Sequence, residues 1–160
     1  MSSVPAIRAA IVAMLVSVPD IGVVHAYERY ANDLPGLRQY YWSAPHNQVR
    51  GWYVRRPATS EQGNVFERSV EIVRWRIVGV MSLSDAAASE LAFDALIESV
   101  RDAVRADETL GGVVDQCSLP GGTEEAGIQL DDAGPAMFGG MLCHVARLGL
   151  NTVRYLGPPA

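Results

Sequence analysis

The sequence predicts an α+β fold: a mainly antiparallel, mixed β-sheet with an N-terminal helix and one long helix packed on one face. Three observations carry this expectation. Helix-like and strand-like segments follow one another as helix, strands, helix, strands. Val73, Trp75, Ile77 and Met81 share one face of a long β pattern, and Phe93, Leu96, Ile97, Val100 and Val104 form a helical stripe. At 160 residues the chain suffices for one core and is short for two ordinary domains, so 1–160 reads as a single domain.

The N-terminal segment repeats Ile7, Ile11, Met14, Leu15 and Val18 at helical spacing. The run Ala9–Val18 behind Arg8 also has the outline of a signal peptide. Periodicity favours an amphipathic helix, capped by Ser2 or Ser3, with Pro5 in its first turn and Pro19-Asp20 at its end. Ile21–Tyr27 is β-rich. Residues 28–49 read as a long loop, punctuated by Asn32, Asp33, Pro35, Gly36, Pro45 and Asn47, with Tyr40, Tyr41 and Trp42 as apolar mass. Residues 49–56 alternate as a strand that Pro57 stops. A polar turn then joins it to Val65–Leu83, giving an antiparallel hairpin with its tip at 57–65.

At ~3.3 Å per residue the second hairpin strand outreaches an average strand of about 17–20 Å. Its other face, Ile72, Arg74, Arg76 and Val78, is mixed. Ser84 or Asp85 is the expected N-cap of the long helix, whose outer side carries Glu90, Asp94, Glu98, Arg101, Asp102 and Arg105. Gly111 and Gly112 are expected to close it as C-terminal caps, after a final irregular turn. Val113–Leu119 and Ile128–Leu130 are short strand candidates, 131–140 a loop, Met141–Tyr155 the last strand, and the residues from Gly157 a frayed tail.

Composition narrows the chemistry. Apolar residues at 49% and charged residues at 19% place the chain among globular proteins. A net charge of −5 argues against an electrostatic nucleic-acid binder, which needs a basic face. No run approaches the ~20 apolar residues that cross a bilayer. Cys117 and Cys143 lack metal-like spacing and read as two reduced thiols, with one disulfide as the alternative. His25, His46 and His144 form no HxxxH or HxH pair, and His144 points away from Cys143 on a strand, as a packing residue would. No phosphate loop exists, turns account for the paired glycines at 121–122 and 139–140, and Ser60, Ser69 and Ser118 lack a nucleophile-elbow context. No catalytic residue, metal or cofactor is predicted, so the protein is not expected to be an enzyme.

The charged residues are more telling. Lysine is absent, while Arg50, Arg55, Arg56, Arg68, Arg74 and Arg76 crowd the hairpin. Arginine suits interface ion pairs because its planar fork meets carboxylates bidentately. The row Glu90, Asp94, Glu98 follows i, i+4 spacing, and Glu124, Glu125, Asp131 and Asp132 add further acid. A solvated helix face is the bland account of the row, and a genome that replaced lysine with arginine is that of the arginines. Neither explains the clustering on one hairpin.

GVVHAYERY at 22–30, RGWYVRR at 50–56, VEIVRWRIVGVMSLSD running into AFDALIESVRDAVRADETLGGVVD, and the terminal CHVARLGLNTVRY together resemble the small tail-terminator and tail-completion proteins of long-tailed phages. Residues 28–49 have no aligned counterpart in that pattern. The resemblance implies a structural virion protein, assembled in the host cytoplasm, that forms a homo-oligomeric and hexameric ring. Such a ring caps the tail tube, stops its polymerisation and joins the tail to the head or neck. Its implied partners are itself, the tail tube protein and a neck or head-closure protein, with DNA passing through the lumen unbound and no membrane contact. A head-closure or head-tail joining protein is the near alternative. Under this resemblance Arg74, Arg76, Arg55 and Arg56 meet Glu90, Asp94 and Glu98 between subunits. Tyr40, Tyr41 and Trp42, with the tip residues Thr59, Ser60, Glu61 and Gln62 running on to Asn64, dock onto tube or neck. Two other classes compete: a small-ligand domain walled by Tyr40, Tyr41, Trp42 and Trp52, and a secreted adaptor that loses its first eighteen residues.

Overall fold

The periodic segments become the layers of the molecule. The computed structural model describes residues 3–63, 69–121 and 125–157; Ser2, Asn64, residues 65–67, Arg68, Gly122, Glu124 and the tail from Pro158 lie outside them. Helix α1, Val4–Ser17, buries Ile7, Ile11 and Leu15 completely, one per turn. Pro5 lies in its first turn, but Ser3 does not cap it; the Ser3 hydroxyl donates to Glu71 at 2.6 Å instead.

Among the described residues six strands form the sheet: β1 Val23–His25, β2 Trp42–Ser43, β3 Gln48–Gln62, β4 Ser69–Ser82, β5 Ile128–Phe138 and β6 Met141–Leu156. Their order is β1-β3-β4-β6-β5, with β2 pairing to β3 off that path. Only β1 and β3 run parallel; the other pairs are antiparallel. On one face lie α1 and the long helix α3, Ser89–Ala106, as predicted. Between them and the sheet sits the main core, in which Trp52, Val73, Trp75, Ile77 and Leu148 meet the stripe Phe93, Leu96, Ile97, Val100 and Val104. Both buried indoles satisfy their N–H, Trp52 to the Ile21 carbonyl at 3.0 Å and Trp75 to Thr152 Oγ1 at 2.9 Å.

Several expectations are corrected. Residues 28–49 are not a plain loop. They hold α2, Leu34–Tyr41, where Asp33 accepts from the Gly36 amide at 2.8 Å and Pro35 opens the first turn. Helix α2 packs Leu37 and Tyr41 on the opposite sheet face against Val49, Tyr53, Val78, Val80, Cys143 and Val145. Pro57 does not stop β3. Arg55 pairs with Arg76 and Ala58 with Arg74, so Arg56 and Pro57 together oppose Trp75 in a bulge. A bulge leaves a residue outside the ladder, so the missing proline N–H is tolerated. Residues 131–140 are likewise mostly strand: β5 is a sheet edge, the position in a sheet where proline is tolerated.

The segment 113–119 is no strand; isolated bridges Gln116–Val153 and Ser118–Ala126 hold it. The long helix begins later than expected, after a 3-10 turn at Asp85–Ala87 and a left-handed Ala88. It ends at Ala106, so Gly111 and Gly112 do not cap it. They sit at positive φ in the next turn, where Asp107 accepts from the Thr109 and Gly111 amides.

Candidate functional site

Helix α2 covers only half of its sheet face. Beyond it two cross-strand rows are open, Arg55-Arg76-Gly149-Gln129 and Ala58-Arg74-Asn151. All but Arg55 line a groove of about 530 Å³, bounded by Pro57 and Ala58 on one side and by Glu125 and Asp131 on the other. Both rims are built by bulges. In β5 the register passes from Leu130–Leu148 directly to Asp132–Arg147, leaving Asp131 as the extra residue. Two successive carboxylates therefore turn to one face, which a regular strand forbids. Asp131 reaches Arg76 at 3.8 Å and Asp132 reaches Arg147 at 2.9 Å. Gly149 makes room for this: a Cβ there would stand 3.0 Å from the Asp131 carboxylate.

The predicted arginines are used unequally. Arg55 pairs with Glu28 and reaches the Tyr30 hydroxyl at 3.5 Å, and Arg56 donates to Thr59 at 3.3 Å. Arg74 is exposed and has no hydrogen bond, ion pair or ring contact among the described residues. Exposed pairs of this kind contribute only ~0–1 kcal/mol to folding, so they can be exchanged for intermolecular ones at little expense to the monomer. Glu90, Asp94 and Glu98 lie on the outer side of α3, across the sheet from the arginines. Glu98 is taken by Arg101 at 2.9 Å and Arg105 at 3.9 Å; Glu90 and Asp94 have no ion pair among the described residues. The two charged sets do not meet within one chain.

The expected docking residues divide. Tyr41 is fully buried, edge-on to His25 and Phe138, and its hydroxyl donates to the Arg29 carbonyl. Burial pushes its phenol up to about 12. It is a core residue, not a docking one. Tyr40 lies half-buried beneath the Arg29 guanidinium and Trp42 is partly exposed beneath Arg38. Thr59, Ser60, Glu61 and Gln62 are exposed, though as strand residues paired to β4 rather than a loop tip. Tyr41 and Trp52 belong to cores on opposite sheet faces, so the aromatic wall of a ligand pocket is not assembled.

Two polar clusters escaped the sequence reading. Ser43 Oγ lies 2.7 Å from His46 Nδ1, whose Nε2 lies 3.2 Å from Asp20. The connectivity imitates a hydrolytic triad, but Ser43 is only 3% exposed, and Asp20 stands in solvent rather than buried behind the imidazole. The cluster clips the end of α1 to the turn before β3. Its Ser-x-x-His half was visible as i, i+3 spacing; Asp20 was not. His144, 7% exposed, lies 2.7 Å from Ser89 Oγ and stacks on Phe93, the packing role expected of it. Cys117 and Cys143 are free and buried, and burial pushes their thiols up to about 12 and about 11.

Among the described residues no cluster of His, Cys, Asp and Glu could hold a metal ion, and no helix is long and apolar enough to cross a membrane. No protein-family model matches the chain, and no curated protein matches it, so the arrangement of its own residues carries the functional assignment.

Proposed function

We propose that this chain is a structural protein that closes into a ring of the tail-terminator or tail-completion type, joining a phage tail tube to the neck. One observation supports it above the rest. Among the described residues Arg74 stands unpaired and exposed on the open sheet face, whereas Glu90 and Asp94 stand without ion pairs on α3 on the other side. Complementary patches on different surfaces of one subunit are what a heterologous contact requires, and a heterologous contact whose rotation closes generates a ring. The exposed β3 stretch Arg55–Gln62 offers a projecting element for the tube or a head-closure protein. The acidic balance suits a lumen through which DNA slides without adhering. The ring is a hexamer, assembled in the host cytoplasm and retained in the virion.

Light scattering on the purified chain and electron microscopy of assembled tails test this together. Arg74→Glu should abolish the ring while circular dichroism shows a folded monomer. Normal assembly of that variant removes Arg74 from the contact. A chain that stays monomeric at high concentration, with no ring on tails, overturns the proposal.

A further inference from the structure

We infer that the ring contact is anchored by an aromatic knob of one copy seated in an apolar socket of the next. This contact presupposes the ring proposed above and gives it an energetic centre that ion pairs alone lack. The knob follows β1: Tyr27 and Tyr30 are 60% and 73% exposed, large values for tyrosines in an ordered segment. Arg29 stiffens it, its guanidinium 5.6 Å over the Tyr27 ring and 4.3 Å over Tyr40. Arg55, holding both Glu28 and the Tyr30 hydroxyl, ties the knob to the β3 side of the sheet. Rigid, cation-backed tyrosines lose little entropy on docking and are typical binding anchors.

The socket lies towards the other edge, where the exit of β4, the first turn of α3 and the edge strand β5 meet. Its cavity of about 300 Å³ is lined by Leu83, Asp85, Glu90, Leu91, Pro135 and His144. That is the small end of the ~300–1,000 Å³ range of ligand pockets, suited to a side chain rather than an extended ligand. Leu91 is 70% exposed, and the neighbouring cross-strand pair Met137 and Leu142 is also exposed, so apolar surface continues past the cavity mouth. Asp85 and Glu90 rim it without ion pairs among the described residues.

Charge selects the occupant. An acidic rim around an apolar floor calls for an aromatic group accompanied by a cation, which Tyr27, Arg29 and Tyr30 present together. Leu91, Asp94 and Glu98 lie on one helical strip, so a knob seated beside Leu91 brings the arginine face of its own copy towards the carboxylate row of the next. Knob and socket lie on different sides of the sheet, so successive copies can repeat the contact head to tail.

Sedimentation of the full chain across a concentration series tests the contact, with wild type compared against Arg29→Glu, Glu90→Arg and the double swap. Each single change should raise the concentration for half-assembly by about tenfold or more, the loss typical of a central anchor. The double swap should recover most of that loss. Leu91→Arg, on an exposed helical position, should block assembly without touching the Arg29 stack, and circular dichroism should show every variant folded. If wild type forms rings while Leu91→Arg assembles normally and the double swap recovers nothing, the contact lies elsewhere and the ring stands. If wild type forms no ring in solution or on tails, both proposals fall.

Discussion

Gly79 lies on β4 directly beneath the Trp52 indole, and a Cβ built there would come within 2.5 Å of the ring. The sheet can hold a fully buried tryptophan at this point only because the facing residue has no side chain. Gly79→Ala must displace a side chain that packs against Phe93 and donates to the Ile21 carbonyl. The expected loss is ~1–3 kcal/mol, the usual range for overpacking a filled core. Urea denaturation should show a lower midpoint with an unchanged slope. An unmoved midpoint would mean that the indole shifts freely, contrary to its hydrogen bond.

At the scale of elements, the β5 bulge separates two roles within one strand. Before it, Ile128 pairs with Leu150 and enters the main core; at it, Asp131 lines the groove, and after it Asp132 meets Arg147. Replacing the Asp131 side chain and removing a paired residue before the bulge should therefore differ. Asp131→Ala deletes one half-exposed ion pair, worth at most ~1 kcal/mol. Deleting the paired Gln129 instead moves Ile128 to the place opposite Gly149 and turns it to the other face. With Ile128 lost from the core, that deletion should destabilise by ~2–5 kcal/mol. Chemical denaturation of the two variants distinguishes them, and equal losses would show that pairing with β6 does not hold Ile128 in the core.

For the whole molecule, two cores share one sheet, and each contains a buried neutral acid. Cys117 lies in the main core, raised from 9.0 to about 12, and Cys143 in the outer one, raised from 9.0 to about 11. Tyr41, in the outer core, is raised from 10.0 to about 12. Burial is the first cause in all three, because it penalises the charged form. A folded-state value above the unfolded one contributes stability that is complete below the unfolded value and lost as pH rises through the folded one. Stability should hold up to about pH 9 and fall through pH 11 to 12 as these groups ionise. Melting temperatures across an alkaline series read this directly, and a flat profile would contradict the burial of all three groups. The same two-sided packing leaves one sheet face half bare, and the contact proposed between copies would use that bare half.

Periodicity was enough to place the two main helices, the central hairpin and the inward face of each. Burial depends on spacing along the chain, so Ile7, Ile11 and Leu15, or Phe93, Val100 and Val104, declare themselves without knowledge of their neighbours. The charged groups of the site were legible as residue types in the same way. Their mutual placement was not. Pro57 reads locally as a strand breaker and 131–140 as a loop, and only a bulge and an edge position make Pro57 and Pro135 acceptable within strands. Asp131 and Asp132 share a face because of a register shift that pairing with β6 imposes. Tyr41 became core rather than contact because α2 folds back over the sheet, and the Leu91 socket exists because three distant segments converge there. The chain by itself determined which residues turn inward. Tertiary structure decided which outward residues share a surface, since cross-strand register and edge position depend on partners far away in sequence.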